Sequence, residues 1–394
     1  MRVLQVIPSL SLHTGGTAMV AVQIAKALDR SGVENTIYAT DMAHAARTGN
    51  AETVSSATLA PGVDEIDVRL FPARPPHRLA YSPGLRRALR RGLEAFDVVH
   101  LHSIYLHPVI AGYREAVRAS VPYLVSPHGS LDPWHRNQRR CRKAAAGRLF
   151  LDRMLASAAA LHFTTEDEAR LAAEVVPDVR HAVVPVGIDV GAFARLPPDD
   201  EFRSRYIAGS RGPVVLNIGR LSEKKGHDVL IEAFALAAGH LPDSRLVLVG
   251  PDDEGLRAGL AERAAARGIA DRVVFTGMLR GNDKLAALAA ADVWALPSLT
   301  ENFGVAVLEA LAAGVPVVLS PEVNVSRDLR DAGAAVVAER MPDAFAAAIR
   351  ELLGDAERRA ELGERGRAFA AGFDTAAIAP RWVELYRSAA GVEP

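Results

Sequence analysis

Short apolar runs of four to six residues alternate with longer stretches of helical periodicity from one end of the chain to the other. In the first half these runs occupy 3–7, 36–40, 98–101, 123–126, 161–164 and 182–186. In the second half they occupy 214–218, 245–249, 273–276, 293–296, 315–319 and 335–337. Most are rich in β-branched residues, bounded by Gly, Pro or Asp, and lack polar alternation, which predicts strands buried on both faces of parallel sheets. Helical spacing of apolar positions over 18–30, 140–158, 227–238, 256–267 and 284–291 fills the intervals. The repeated alternation predicts an α/β protein with helices on both faces of each sheet. The stretch Arg195-Leu-Pro-Pro-Asp-Asp-Glu201 interrupts the pattern with two prolines and three carboxylates, and reads as a linker. Six strands fall on either side, giving two doubly wound, Rossmann-like domains over 1–194 and 195–374. In the tail, 375–394, Ile378, Trp382, Leu385 and Tyr386 share one helical face. That helix must dock, and it is expected to pack back toward the N-terminal domain at the domain junction.

Composition narrows the class. Of 394 residues, 49% are hydrophobic and 24% charged, which excludes a largely disordered chain. Lys plus Arg (46) and Asp plus Glu (47) nearly cancel, against a dedicated nucleic-acid binder. The single cysteine, Cys141, forms no internal disulfide and no cysteine metal cluster, so no oxidising compartment is called for. No apolar run approaches ~18 residues and no signal-peptide pattern opens the chain, so the expectation is a soluble, cytoplasmic protein. The balance hides an uneven distribution. Between Arg69 and Arg148 stand 15 Arg or Lys against four acids, among them Arg86-Arg87, Arg90-Arg91 and the run 139–143. Such a stretch is either a set of solvated helix faces or an attraction for an anionic acceptor at the inner membrane surface. Lysine itself is scarce: Lys26, Lys143, Lys224, Lys225 and Lys284 are the whole complement.

Three strand ends carry candidate chemistry. Gly15-Gly16-Thr17 offers a backbone that a ligand can approach closely, with Thr17 as a helix cap, or merely a flexible turn. No G-x-G-x-x-G follows the first strand, which argues against an NAD-dependent oxidoreductase. In Asn217-Ile-Gly-Arg-Leu-Ser-Glu-Lys-Lys-Gly226, Gly219 and Gly226 free the backbone while Arg220 and Lys225 bring cations to a helix N-terminus. The helix dipole already makes that end positive, so the pattern asks for an anion such as a diphosphate, unless Glu223 pairs locally in a solvated loop. In the segment from Ser298 to Glu309, Glu301 precedes a helix starting near Gly304, and Glu309 follows two turns later on an otherwise apolar helix. A carboxylate in that setting needs a partner. The N–H groups around Phe303, Gly304 and Val305 would point at an anion, and Glu309 suits sugar hydroxyls; the plainer alternative is a capping box and a surface glutamate. Asp252-Asp253-Glu254 reads as a turn rather than a metal cluster. His100 and His102 share a strand face without a third ligand, so no metal is expected there, and His102 is a candidate lining of an acceptor pocket.

With these residues in place, the chain resembles the retaining glycosyltransferases of family 4 (group 1), of GT-B fold. The E-x7-E motif is Glu301 to Glu309, and Gly219-Arg220 with Lys225-Gly226, Gly15-Gly16 and the loop Pro127-His128-Gly129-Ser-Leu-Asp-Pro-Trp134 match further signatures, the last as in bacterial polysaccharide-type members. The resemblance spans essentially the whole chain and implies two domains facing across a cleft. It implies transfer of a hexose-type sugar from a nucleoside-diphosphate sugar, UDP before GDP-mannose, to a hydroxyl of a glycan, a lipid-linked or a small-molecule acceptor. By the same token Arg220 and Lys225 hold the diphosphate, Glu309 the ribose and Glu301 the transferred sugar, with the backbone of 302–305 on sugar and phosphate. Gly15 and Gly16 close on the donor phosphate, His128 reaches the sugar near the reacting centre, and the segment containing Met278 and Leu279 cradles the base. No metal and no cofactor is implied. No residue presents itself as the nucleophile of a double displacement, and the family is thought to react on the front face. The family's Pro-Asn-Gly is here Pro185-Val186-Gly187, so nothing is assigned to Val186. A non-hydrolysing nucleotide-sugar epimerase of the same architecture is the alternative, with a non-catalytic sugar binder behind it.

Overall fold

The computed structural model describes residues 1–14, 16–45, 51–55, 58–131, 150–177, 179–239, 241 and 243–392. Gly15, Asp132, Trp134, the run 139–143 with Cys141, and the start of the helix expected over 140–158 lie outside the described residues.

The chain divides into two compact units, Met1–Gly187 with Thr375–Pro394 and Ile188–Asp374. In the first, strands β1 (Arg2–Ser9), β2 (Glu34–Thr40), β5 (Asp67–Phe71), β6 (Val98–His102), β7 (Tyr123–Ser126), β8 (Ala160–Phe163) and β9 (His181–Val183) form one sheet in the order β5-β2-β1-β6-β7-β8-β9. Every pairing in it is parallel. A small antiparallel hairpin, β3 (Met42–Ala45) with β4 (Ala51–Thr53), stands apart from it. In the second unit, β10 (Val214–Ile218), β11 (Arg245–Val249), β12 (Val273–Gly277), β13 (Val293–Leu296), β14 (Val317–Leu319) and β15 (Val336–Val337) run parallel in the order β12-β11-β10-β13-β14-β15. Each order reverses once, between β1 and β6 and between β10 and β13. Loops diverge at the carboxyl ends there, which is where open α/β sheets bind ligands.

All twelve apolar runs are strands. β5 and the hairpin were not anticipated. Asp67-Val-Arg-Leu-Phe71 is an edge strand with largely accessible side chains, so it lacks the continuous apolar run of a central strand. The expected linker is corrected. Asp200 and Glu201, counted as linker acids, open the helix Asp200–Tyr206, where carboxylates favour the first turn, and the first unit already ends at Gly187. Gly187 is required there, since a Cβ would meet Thr375 Cα at 2.8 Å. The C-terminal helix Thr375–Ala390 belongs to the first unit, packs on the helix Gly16–Arg30, and buries Trp382 and Tyr386. Thr17 is also corrected: it lies inside the helix Gly16–Arg30 rather than capping it, because the helix begins one residue earlier.

Candidate active site: lysine–carboxylate pairs and a buried histidine network

In the second unit the switch between β10 and β13 is built from two loops tied backbone to backbone. The Lys224 carbonyl accepts from Leu299 N (2.7 Å) and Ser298 Oγ (2.9 Å), and Ser320 Oγ donates to the Ser298 carbonyl (2.7 Å). Glu301 is pinned at both ends, its N–H to Glu322 O (3.2 Å) and its carbonyl to Asn324 N (3.1 Å). Gly226 has φ of 70°, and a Cβ on it would strike the Pro297 carbonyl, so this crossing of the loops admits only glycine.

On this frame the charged side chains converge. Lys225 Nζ donates to Glu301 Oε2, and both side chains are only 14% exposed. The lysine passes over Gly219, where an added Cβ would lie 3.5 Å from Lys225 Cε. Burial alone would raise the Glu301 carboxyl, but the charges of Lys225 and Lys224, the hydrogen bond from Lys225 and the Arg220 guanidinium hold it down at about 2. For Lys224 the Glu301 charge favours the ammonium, yet burial and repulsion from Lys225 and Arg220 outweigh it and lower its pKa. Part-buried Arg220 has no hydrogen-bond or ion-pair partner among the described residues. Three cations against Glu301, with Glu254 also acting on Lys224, leave an excess of positive charge, and an anion resolves it.

The helix Val305–Ala312 starts from left-handed Gly304 (φ 74°) with no side-chain cap, so its first N–H groups are not taken by a capping side chain. Phe303 is buried against Phe373 at 5.8 Å between centroids, which anchors the turn, and buried Asn302 Oδ1 lacks a partner among the described residues. Glu309 on this helix pairs with Lys284 Nζ at 2.7 Å, from the helix Gly281–Ala289. At the head of that helix the Arg280 guanidinium packs on Met278 Sδ (3.2 and 3.3 Å), and Leu279 is buried. Asp252 accepts from Leu256 N (2.7 Å) and Arg257 N (3.1 Å), and Glu254 from Glu223 N (3.2 Å), so these two acids serve local backbone. Among the described residues no group of three or more His, Cys, Asp or Glu is placed to hold a metal ion.

In the first unit, the carboxyl ends of β6, β7 and β8 carry a buried polar network. His162 Nε2 meets the Val184 carbonyl (2.8 Å), an acceptor only, so that nitrogen carries the proton and Nδ1 accepts from Ser126 Oγ (2.6 Å). Ser126 Oγ then accepts from His100 Nε2 (2.6 Å), and Tyr386 Oη donates to His100 Nδ1 (2.7 Å). A second branch joins Gln5, His102 and His128. Burial first, then neighbouring histidines, pushes His100 and His102 well below the usual histidine range. Burial lowers His128 to about 3 and His162 to about 4. All four rings are neutral at physiological pH.

Arg220, Lys225 and Glu301 thus come together, Glu309 is paired with a lysine of its own on another helix, and His128 joins a different cluster in the other unit. Gly16 opens its helix with no atom within 4 Å of a hypothetical Cβ. Lys224, Lys284, Gln5, Ser126 and His162 were not singled out. The lysines had a signal: three of a complement of five cluster here. Gln5 had one too, as the lone amide in the apolar run of β1.

Two family models match the chain: the glycosyl transferases group 1 over residues 199–369 and the glycosyl transferase 4-like domain over residues 15–187. A D-inositol 3-phosphate glycosyltransferase of Kineococcus radiotolerans is 28% identical, over 96% of this chain and 94% of its own. A GDP-mannose-dependent monoacylated alpha-(1-6)-phosphatidylinositol monomannoside mannosyltransferase of Corynebacterium glutamicum is 34% identical over 47% of this chain and 50% of its own. HepE of Anabaena, solved with UDP and glucose, superposes with a TM-score of 0.78 at 20% identity over 98% of this chain and 100% of its own. Sucrose-phosphate synthase from Thermosynechococcus elongatus does so with 0.75 at 20% identity, with both chains fully covered. The chain belongs to the group 1 glycosyltransferases of family 4 and is a transferase of the GT-B fold.

Proposed function

We propose that this glycosyltransferase moves a hexose from a nucleoside-diphosphate sugar to a hydroxyl acceptor with retention of configuration and without a metal. The observation that carries the reading is Arg220, without a partner among the described residues, beside Lys224, Lys225 and Glu301, next to the uncapped helix start at Gly304. Cleavage of a glycosyl–phosphate bond leaves negative charge on the diphosphate, and fixed cations and N–H dipoles stabilise that charge in the role a divalent metal fills elsewhere. Glu309 receives the ribose hydroxyls, Glu301 the hydroxyls of the transferred sugar, and the backbone of Met278 and Leu279 the base. UDP is the first expectation for the base. GDP-mannose is the second, in keeping with the name of the corynebacterial relative.

The test is a thermal-shift screen with UDP, GDP, ADP and dTDP, followed by donor hydrolysis and transfer with EDTA present. One nucleoside diphosphate, UDP or GDP, is expected to raise the melting temperature by several degrees, equivalent to about 2.7 kcal/mol at a hundredfold excess over Kd. The anomeric carbon of the product is expected to keep the donor's configuration. No stabilisation by any diphosphate, or activity abolished by EDTA, removes the reading.

The acceptor is proposed to be a glycan, lipid-linked or small-molecule hydroxyl, reached by a cytoplasmic protein with peripheral contact to an anionic membrane. No described helix is long and apolar enough to span a bilayer. Supporting contact, the helix Pro83–Gly92 buries Leu85 and Leu89 and presents Arg86, Arg87, Arg90 and Arg91 outward, close in sequence to exposed Leu79 and Tyr81. Co-sedimentation with phosphatidylglycerol vesicles is expected to fall steeply as salt rises, each exposed arginine contributing roughly 1 kcal/mol at low salt. Binding that is absent or indifferent to salt counts against it.

A further inference from the structure

The second histidine branch has a direction that can be derived from a single backbone atom. Gln5 Nε2 lies 3.3 Å from the Ala21 carbonyl, which only accepts, so the amide nitrogen must face it and Oε1 must face His102. His102 Nε2 is 2.7 Å from that oxygen and therefore carries the ring proton. Its Nδ1 is then a lone pair, and His128 Nε2, 3.0 Å away, must be the donor. His128 is left as the Nε2–H tautomer, with Nδ1 lacking a partner among the described residues. The rings of His102 and His128 stack at 5.2 Å between centroids with 11° between planes, so orientation as well as protonation is set.

The backbone around His128 is held with comparable care. Its φ of 51° is left-handed, a conformation costing a non-glycine residue of order 1 kcal/mol that its surroundings must impose. The next residue, Gly129, donates its N–H to Glu168 Oε1 (2.9 Å), and the other oxygen of that buried carboxylate is fixed by Thr164 N (2.8 Å) and Oγ1 (2.9 Å). A chain from the strand core thus ends in one imidazole nitrogen whose hydrogen-bonding role has no freedom.

We propose that His102, oriented by Gln5, is a positioning residue for glycosyl transfer: it locks His128 as the Nε2–H tautomer, so that His128 meets a sugar hydroxyl with Nδ1, an acceptor, and never with a donor. The assignment rests on the transferase reading for what His128 meets, but the tautomer stands on geometry alone. The low pKa that burial imposes on both rings agrees with neutral tautomers. A hydroxyl that donates to Nδ1 gains electron density on oxygen and is thereby oriented without surrendering its proton.

The direct test is long-range proton–nitrogen correlation on the full chain carrying nitrogen-labelled histidine, with His128→Gln to assign the resonance. Wild-type His128 is expected to show a protonated Nε2 and a bare Nδ1 at neutral pH. His102→Phe keeps the stacked ring but removes the acceptor. It is expected to give a tautomer mixture and to lower kcat ~10-fold or more while donor KM stays within about twofold, as for loss of a group that fixes an imidazole. His102→Asn, whose Oδ1 takes the place of Nδ1, is expected to restore the Nε2–H form and recover most of that kcat. A wild-type His128 protonated on Nδ1 overturns the inference, as does a folded His102→Phe with unchanged tautomer and turnover. If no nucleotide sugar supports transfer, the wild-type spectrum still decides the tautomer, so the two readings fail separately.

Discussion

Lys225→Ala and Glu309→Ala are each expected to lower glycosyl transfer more than ~100-fold, about 2.7 kcal/mol of transition-state stabilisation. For Lys225 two losses combine. The diphosphate loses a part-buried cation at the moment it takes up charge, and Glu301 loses the ammonium that chiefly holds its carboxyl down at about 2. What remains is a carboxylate facing an anion with only Lys224 and Arg220 to separate them, so removal of the lysine costs more than its own contact. Glu301→Gln in the Lys225→Ala background is accordingly expected to recover part of the lost kcat, a non-additivity that independent sites would not show. For Glu309 the loss, on the proposed reading, is of hydroxyl binding, and it leaves Lys284 without its carboxylate, so donor KM is expected to rise along with the fall in kcat. Lys26→Ala removes a lysine of the first unit whose partner is Glu65, to which no donor contact is assigned, and is expected to keep wild-type rates. Steady-state kinetics with the donor found by thermal shift measures all of these. Near-normal turnover in both Lys225→Ala and Glu309→Ala leaves the site assignment without support.

The legible parts of the molecule are those where the determinant is local. Central parallel strands are buried on both faces, so each is written as a contiguous apolar run, and the edge strands β9, β12 and β15 also keep enough apolar residues to be read that way. Edge strand β5 is not written that way. The unit boundary is non-local: Gly187 owes its identity to Thr375, a contact invisible until the chain has folded, whereas Pro197-Pro198 draws attention by composition alone. The site follows the same rule. Arg220, Lys225 and Glu301 could be nominated because each is anomalous among its sequence neighbours. That Glu309 needs a partner was readable from its apolar helix, but that the partner is Lys284 depends on two helices meeting across 25 positions. Gln5 and His102 are 97 positions apart, on neighbouring strands, and become one polar chain only through the pairing of β1 with β6.

The histidine network makes the first unit the acid-labile half of the protein. His100, His102, His128 and His162 have folded-state pKa values lowered by burial, to about 3 and about 4 for the last two, while in the unfolded chain each titrates near 6.5. Between those limits the unfolded state binds protons that the folded state refuses, so stability rises with pH across the window: full above about 6.5 and progressively lost below it. The slope is about 1.4 kcal/mol per pH unit for each ring, or roughly 2 kcal/mol apiece by pH 5 for His128 and His162, with His100 and His102 acting in the same direction, a large share of the stability of a domain. Among the described residues of the second unit only His227, lowered to about 4 by burial and then by the Lys225 charge, is a histidine that acts in this way. The carboxylate Glu301 works in the same sense but lower down, its contribution being present above about 4.5 and lost only as pH falls toward 2. The expected result is two acid transitions, the first unit unfolding at the higher pH. Trp382, buried against His162 with centroids 4.5 Å apart, reports the first unit, and buried Trp294 reports the second. Variants retaining one tryptophan each, titrated from pH 7.5 to 4 by fluorescence, are expected to give a Trp382 midpoint about one pH unit above that of Trp294. Replacing His162 by Gln, which keeps a donor for the Val184 carbonyl and an acceptor for Ser126 but binds no proton, is expected to shift the Trp382 midpoint downward. Coincident transitions, or a Trp382 signal flat to pH 4, would mean that the four rings do not stay neutral in the folded state, and the directed network from Tyr386 to Val184 would fall with them.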